Sequence, residues 1–287
     1  MIQIYNYEDW IEYKGAAEGS GRSEKIWLID KKTERIGLFK FPKVSKGQNK
    51  YAKPSTTEHV SEKLAASIAQ ELHIPSARIE IGQRDNRIGC MSYLIPQKKE
   101  GLIEGIYLIN LTNPNFNREK LYDPTTQEYY SYELIMRARD KIFTKINEKK
   151  IFTANVVTMM FFDMLIGNTD RHQSNWGIIG QIEKKDLKLR FCPLYDNGSS
   201  LCAYIEETAI DSYLGNDNMR FNSLVDTKSR SRIRIDSRVR KEPSHAEVIE
   251  YLHKQYPSIT EEMSQEIISR ITVEWIENTL SEYPEDV

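Results

Sequence analysis

The sequence predicts an α+β chain with a small β-rich N-terminal lobe and a larger, mainly helical C-terminal lobe. Three observations point there. Short strand-like runs with a single helix occupy the chain up to about residue 95, and helical periodicity dominates from about residue 125. Strands and helices do not alternate as a parallel α/β sheet requires. The expected division is 1–97 for the first lobe and 98–287 for the second.

In the first lobe, "EKIWLID" and "RIGLFKF" are strand-like runs joined by the polar "KKTE", which reads as a hairpin. Antiparallel pairing about Lys32 sets Lys40 opposite Glu24. "PSTTEHVSEKLAASIAQEL" spaces Val60, Leu64, Ile68 and Leu72 for a helix, with Ser55 and Glu58 placed as a capping box. "ARIEIG" and "RIGCMSYLI" read as two further strands. The segment from Gln97 to Asp123, rich in Asn, Gly and Pro, reads as a loose crossing between the lobes. Beyond it, "TTQEYYSYELIMRARDKIF" and "KIFTANVVTMMFFDMLIG" are helical. Two more helices start near Ser244 and Ser258, and Ser258 with Glu261 forms a second capping box.

Composition narrows the class. The 287 residues can hold one large domain or two modest ones around a sizeable core. Apolar residues at 39% and charged residues at 29% suit a folded chain with a well-charged surface. A net charge of −2 argues against a surface built as a whole for nucleic acid, so such contacts would be local. Cys90, Cys192 and Cys202 form no C-x-x-C pair, and their odd number suits a reducing interior better than a disulfide framework. "MIQIYNYEDWIEYKG" is charged throughout and holds no signal segment. "VVTMMFFDMLIG" is broken by Asp163 and is too short to span a bilayer. A soluble cytoplasmic protein is expected, with a secreted effector as the other setting.

The chemistry concentrates in "LIGNTDRHQSNWGII". An apolar helix ends on Gly167, and the following loop carries Asp170, Arg171, His172 and Asn175. Asp170 and Asn175 have the spacing D-x-x-x-x-N; a hairpin follows, and then Asp196 with Asn197 and Gly198. Phosphoryl transfer needs these parts: one carboxylate to orient or deprotonate a hydroxyl, and an Asn with a second carboxylate to hold Mg²⁺ on the phosphates. Oxygen donors suit Mg²⁺, which keeps water and phosphate in its shell. Turn capping is the other reading of Asp170 and Asn175. The buried helix before them and the Asp-Asn-Gly after the hairpin favour phosphoryl transfer. A zinc site is weaker, because D-x-H supplies two ligands and nothing nearby completes a usual set.

"LIGNTDRHQSNWGI" followed by "LYDNGSSL" resembles the catalytic and metal-binding loops of HipA-type serine/threonine kinases. The likeness is specific over residues 160 to 200 and diffuse elsewhere. It implies a bilobal protein-kinase-like fold, with Asp170 as catalytic base and Asn175 and Asp196 as Mg²⁺ ligands. It also implies His172 as a loop-organising residue, ATP as phosphoryl donor and a protein hydroxyl as acceptor. An antitoxin-like regulator and a toxin–antitoxin setting belong to the same implication.

Such a fold needs an N-terminal phosphate clamp. "EGSGRSEK" offers Gly19, Ser20 and Gly21 for backbone approach to phosphate, and Lys25 adds positive charge. Lys40 shares a strand face with Ile36 and Leu38, so its stem can lie on apolar surface while its ammonium meets phosphate. An edge lysine guarding against aggregation is the alternative, but "FKFP" is similar to the family's nucleotide-lysine strand. Glu62, among Ala65, Ala66 and Ala69, is the helix partner that the family spacing favours for Lys40; an exposed helix glutamate is the other reading. Ser92, Tyr93 and Leu94 sit where the interlobe hinge would present backbone groups to adenine.

Two departures from the family accompany the likeness. Only about eighteen residues precede the glycine loop, where well-known members carry a further subdomain. Alignment on "SEK" places Glu18 at the serine which some members phosphorylate on themselves, with Ser20 and Ser23 close by. Further on, "KSRSRIRIDSRVRK" concentrates positive charge. It reads either as a solvated basic strand or loop, or as a patch steering an acidic or nucleic-acid-associated protein substrate. Ser229, Ser231 and Ser237 there are candidate phosphorylation sites. Two rival functions stay open: a phosphoinositide-type lipid kinase, which "DRHQSN" also resembles, and a catalytically silent binding module with a kinase fold.

Overall fold

The computed structural model describes residues 1–15, 24–183, 186–215, 218–225 and 229–284. The chain forms two compact units: Met1–Ile95 with Asp196–Ser212 and Ile267–Val287, and Pro96–Tyr195 with Tyr213–Glu266. Two C-terminal stretches thus join the N-terminal unit, whereas the sequence division gave everything after residue 97 to the second lobe.

In the first unit, β1 (Tyr5–Asn6), β2 (Ile11–Glu12), β3 (Lys25–Ile29), β4 (Ile36–Lys40), β5 (Ile79–Arg84) and β6 (Arg87–Tyr93) make one sheet, ordered β1-β5-β6-β4-β3-β2. Alternation along β4 sends Phe39 into a core with Tyr7, Leu28, Phe41 and Met91, and Lys40 to the opposite face. Each fully buried Phe there contributes roughly 2–3 kcal/mol of transfer free energy.

The hairpin forms as expected, but its register is shifted. Lys40 lies opposite Lys25, not Glu24. The reason is turn chemistry. Asp30 N–H donates to the Arg35 carbonyl, the Asp30 carboxylate accepts from Lys32 N–H and Thr33 Oγ1, and Glu34 takes a left-handed φ of 57°. The turn therefore spans Lys31 to Glu34 and is not centred on Lys32.

Helix α1 (Glu58–Glu71) packs on β5 and β6 through Ser61, Glu62, Ala65, Ala66, Ile68 and Ala69. Val60 and Leu64 are only half-buried, so the small-residue face, rather than the aliphatic stripe, meets the sheet. The Ser55/Glu58 capping box does not form. Thr57 is the N-cap residue, Ser55 Oγ donates to the Lys43 carbonyl, and the Glu58 carboxylate accepts from Lys43 Nζ and Tyr204 Oη.

In the second unit, the expected loose crossing is ordered. It contains β7 (Glu100–Glu104) and α2 (Gly105–Asn110), and β7 joins β10 (Gly177–Glu183) and β11 (Asp186–Phe191) in a sheet ordered β11-β10-β7. Polar composition concealed a strand whose partner lies far along the chain. The start of the next expected helix is instead a small hairpin, β8 (Tyr122–Asp123) with β9 (Glu128–Tyr129). Helix α3 (Tyr132–Ile142) begins after Ser131, whose Oγ accepts from Leu134 N–H. Helix α4 (Ile146–Ile166) is apolar around most of its circumference and carries much of this unit's core.

Towards the C-terminus, α7 (His245–Gln255) has a true capping box of Ser244 with Glu247. Helix α8 (Pro257–Arg270) starts on Pro257, so Ser258 lies inside it and the second expected box is absent. Short helices α5 (Ile210–Leu214) and α6 (Asn218–Ser223) precede α7, and α9 (Val273–Ser281) follows α8. No helix of the described residues is long and apolar enough to cross a membrane.

Candidate active site

The first unit gathers charge around Lys40. Its Nζ lies 3.0 Å from Glu62 Oε2 and 2.7 Å from Asp196 Oδ1. Glu62 is the buried member at 2% exposure, and its other oxygen accepts from Asn197 N–H at 3.1 Å. Burial works against a charged Lys40, but the Asp196 and Glu62 carboxylates outweigh it and raise the ammonium pKa above its ordinary value. Lys25, opposite Lys40 on β3, shows the contrary balance. Burial lowers its pKa, Asp196 partly opposes the fall, and the like charge of Lys40 adds to it.

The local backbone explains how Asp196 and Glu62 meet. Asp196 sits at a left-handed φ of 57°, which turns the chain sharply between Tyr195 and Asn197. Gly198 then passes so close to α1 that a Cβ would lie 2.9 Å from Glu62 Oε2 and 3.1 Å from the Glu58 carbonyl. A side chain there would push Glu62 off both its partners. Ser200 Oγ closes the turn by donating to the Asn197 carbonyl at 2.6 Å. Cys90, the β6 residue opposite Lys40, lines the same small pocket; burial, reinforced by the charge of Glu62, raises its thiol pKa.

The second unit builds the Asp170 loop on the end of α4. Gly167, at φ 64°, donates to the Met164 carbonyl, and Asn168 N–H donates to the Asp163 carbonyl, a Schellman ending. Beneath it, the buried Asp163 carboxylate accepts from Asn168 Nδ2 at 2.9 Å and from Arg171 Nε and Nη2 at 2.9 and 2.7 Å. Arg171 Nη1 then donates to two carbonyls, Asn175 at 2.7 Å and Tyr195 at 2.8 Å. One guanidinium therefore ties the helix end to the D-x-x-x-x-N loop and to the residue preceding Asp196.

The rest of the loop is held by its own backbone. Asn168 Oδ1 accepts from Asp170 N–H, His172 Nδ1 accepts from Ser174 N–H, and Asn175 Nδ2 donates to the Asp170 carbonyl at 2.9 Å. His172 thus makes a hydrogen bond inside the loop through Nδ1. With its Nδ2 committed, Asn175 has its amide oxygen as the donor suited to a hard cation. The Asp170 side chain is 42% exposed, and Arg232 Nε lies 3.5 Å from its Oδ1. Trp176, next in sequence and 1% exposed, anchors the loop by donating to Tyr130 Oη at 2.7 Å. A Cβ on Gly105 would strike the Trp176 ring at 2.3 Å, so glycine is required there.

Among the sequence-derived candidates, Lys25, Lys40, Glu62 and Asp196 gather in the first unit, and Asp170, His172 and Asn175 gather in the second. Gly19, Ser20 and Gly21, like Glu18 and Ser23, lie outside the described residues. Of the hinge residues, Ser92 pairs with Leu38, Tyr93 N–H donates to the Arg78 carbonyl and Leu94 N–H to the Ile36 carbonyl. Both of those N–H groups are therefore committed within this unit. No cluster of three or more His, Cys, Asp or Glu able to hold a metal occurs among the described residues.

The described part of the basic segment is mixed: some of its residues are buried, while Arg238, Arg240 and Lys241 are exposed. Ser231, Ile233, Arg234 and Ser237 are buried. Arg230 donates to the Glu242 carbonyl, Arg234 to the Arg240 carbonyl, and Arg238 to the Thr126 carbonyl. These hydrogen bonds tie the three arginines to the fold, and Arg238 stays exposed with Arg240 and Lys241. The sequence by itself assigns no role to Asp163, Asn168, Arg171 or Arg232. An acid inside an apolar helix was the available signal, since a buried carboxylate requires a partner.

A family model described as HipA-like C-terminal domain matches residues 18–271. Among solved structures, the crystal structure of the Helicobacter pylori proinflammatory kinase CtkA is similar at TM-score 0.77 and 18% identity, covering 99% of this chain and 88% of that one. HipA in the Shewanella oneidensis MR-1 toxin–antitoxin complex with HipB and operator DNA is similar at TM-score 0.56 and 12% identity. That match covers 96% of this chain and 61% of the other. At these identities the likeness speaks for the fold, a mixed α+β arrangement of curled sheet and helices of the kinase-like kind. No curated protein sequence matches.

Proposed function

The chain belongs to the HipA-like C-terminal domain family, and we propose that it is an ATP- and Mg²⁺-dependent serine/threonine protein kinase. The observation that carries this reading is Lys40 held between Glu62 and Asp196, at 3.0 and 2.7 Å. A lysine kept charged by a buried helix glutamate, beside the carboxylate that opens Asp-Asn-Gly, is the equipment for phosphate oxygens and their metal. An ordinary structural ion pair needs neither the second acid nor the strained turn that delivers it.

In this reading Lys40 neutralises charge on the nucleotide phosphates, with Lys25 adding to the local positive potential. Asp170 accepts the hydrogen bond of a serine or threonine hydroxyl and takes its proton as the hydroxyl oxygen attacks the γ-phosphorus. Asp196 and the Asn175 amide are oxygen donors of the kind Mg²⁺ prefers. When bound, Mg²⁺ supplies charge neutralisation on the phosphate oxygens. Arg171 keeps the Asn175 and Tyr195 carbonyls in place, so loop geometry does not have to be organised at the moment of reaction. Gly19, Ser20 and Gly21 complete the phosphate clamp in this proposal. An antitoxin-like protein regulator and a cytoplasmic setting are parts of the same reading.

The test is incubation of the purified chain with γ-labelled ATP and Mg²⁺, separately with protein extract and with phosphoinositide vesicles. Label appearing on protein serine or threonine, and lost in Asp170→Asn, supports the proposal. Label on lipid alone, or ATP binding without transfer under any Mg²⁺ condition, sinks it.

A further inference from the structure

Arg232 stands apart from the other described arginines of its segment. Its neighbours Arg230, Arg234 and Arg238 donate to main-chain carbonyls, and Arg234 and Arg238 also pair with Glu242 and Glu128, whereas Arg232 directs Nε towards Asp170 Oδ1 at 3.5 Å and Nη1 onto Glu242 Oε1 at 3.0 Å. Its Nη2 carries no partner among the described residues, and the side chain is 40% exposed. The guanidinium is thus anchored on Glu242 through Nη1, lies in ionic contact with Asp170 through a buried Nε that makes no hydrogen bond, and leaves Nη2 open.

The anchoring is built rather than incidental. Ser231 N–H donates to the Pro243 carbonyl at 3.0 Å, and Arg230 pairs with Ser244 as an isolated bridge. Ile233, fully buried, fixes the segment on the other side of Arg232, where Ser231 Oγ accepts from Ile233 N–H at 3.1 Å. Glu242 is steadied in turn by Arg234 at 3.6 Å. The loop carrying Asp170 does not fill this place from its own residues. Arg171 is spent on Asp163 and two carbonyls, and His172 accepts a backbone N–H through Nδ1.

We propose that Arg232 is a catalytic residue whose open guanidinium edge binds the oxygens of the phosphoryl group as it passes to a hydroxyl held by Asp170. The inference rests on the kinase reading above. A hydroxyl at hydrogen-bond distance, about 2.7 Å, from the Asp170 carboxylate places the incoming phosphorus within reach of a fork anchored beside that carboxylate. In the step, the bond between the γ-phosphorus and the bridging oxygen of ADP breaks and its electron pair leaves with ADP. The acceptor oxygen bonds phosphorus, and its proton passes to Asp170. Arg232 changes no bonds. It meets charge spread over the three equatorial oxygens, for which a preorganised planar fork is well suited. Glu242 keeps that fork from collapsing onto Asp170.

The test compares the full chain with Arg232→Ala and Arg232→Lys in transfer of label from ATP to its protein acceptor. Arg232→Ala should lower kcat by about a hundredfold or more while leaving the KM for ATP unchanged, because the contact exists only during transfer. Arg232→Lys should restore little, since a point charge lacks the fork. Free guanidinium ion should recover part of the Arg232→Ala activity and none of the Asp170→Asn activity. In parallel, Arg232→Ala should bind MgADP with aluminium fluoride more weakly than the wild type and bind MgADP equally well. Wild-type kcat in Arg232→Ala, equal affinity for the fluoride complex, or a loss that guanidinium does not relieve would each overturn the assignment. Absence of transfer by the wild type would instead overturn the kinase reading itself.

Discussion

The Asp163 carboxylate grips the Arg171 guanidinium with both side chains under 5% exposed, and Arg171 spends its remaining donor on the Asn175 and Tyr195 carbonyls. Truncating either partner leaves a buried charge uncompensated. Asp163→Asn and Arg171→Met should each destabilise the chain by about 3–5 kcal/mol, read as a lowered denaturant midpoint. Kinase activity should fall further than the unfolded fraction explains, because the loop loses its fixed geometry. A midpoint within about 0.5 kcal/mol of the wild type would refute the clamp.

Asp170 and Asp196 should separate on substitution. Asp170→Asn should abolish phosphoryl transfer while nucleotide affinity stays near the wild-type value, since in the proposed reading Asp170 meets the acceptor hydroxyl and not the phosphates. Asp196→Asn should weaken Mg²⁺-dependent nucleotide binding as well. Calorimetric titration of both variants with MgATP checks this, and similar affinity loss in the two would remove the distinction.

Gly198 is set against Glu62 with no room for a methyl group. Gly198→Ala should displace the carboxylate from Asn197 N–H and from Lys40, costing roughly 1–3 kcal/mol of stability and weakening ATP binding. An unchanged melting temperature together with unchanged ATP affinity would show that the close approach has no consequence.

His245 is buried at the first turn of α7, and burial lowers its pKa from the usual 6.5, with the Asp163 charge opposing the fall. Its folded-state pKa lies below the unfolded one, so the unfolded chain takes up the proton first. The associated stability is complete above about pH 6.5 and is lost as pH falls through the folded-state value. Replacing the residue with Leu should flatten that slope between about pH 7 and pH 5. Parallel urea titrations of wild type and variant with identical slopes would exclude His245 as its source.

Ser237 Oγ donates to Glu133 Oε2 at 2.8 Å and lies 3.3 Å from Glu128 Oε1, with the residue 3% exposed. A negative charge at this position meets two carboxylates without water. Ser237→Asp should therefore destabilise the fold by about 3 kcal/mol or more. Phosphate should not appear on Ser237 or on the buried Ser231 of the native chain. Stoichiometric native phosphorylation at either serine, mapped by mass spectrometry, would contradict this.

Much of the local layout of the candidate site was legible because its signals are short-range. The apolar run ending on Gly167, the Asp170–Asn175 spacing and the Asp-Asn-Gly after a hairpin are each contained in a few adjacent residues. Turn chemistry and periodicity act over that distance. Glu62 is named for Lys40 only through the family spacing, with Glu58 one turn earlier. Both lie near the start of one helix, and only packing of the small-residue face on β5 and β6 buries the first against Lys40 while Glu58 turns to Lys43 and Tyr204.

By itself, the sequence determined the α+β class, the hairpin bearing Lys40, and the identity of the acids at 170 and 196, because these depend on pattern and local chemistry. Tertiary structure alone decided the one-residue shift that puts Lys25 beside Lys40, the pairing of β7 with β10, and the burial of Ser231, Ile233, Arg234 and Ser237 within the basic segment. It also gave Arg171 and Arg232 their partners. Charged side chains choose among many like-charged candidates by distance and desolvation, and neither quantity exists until the backbone has folded.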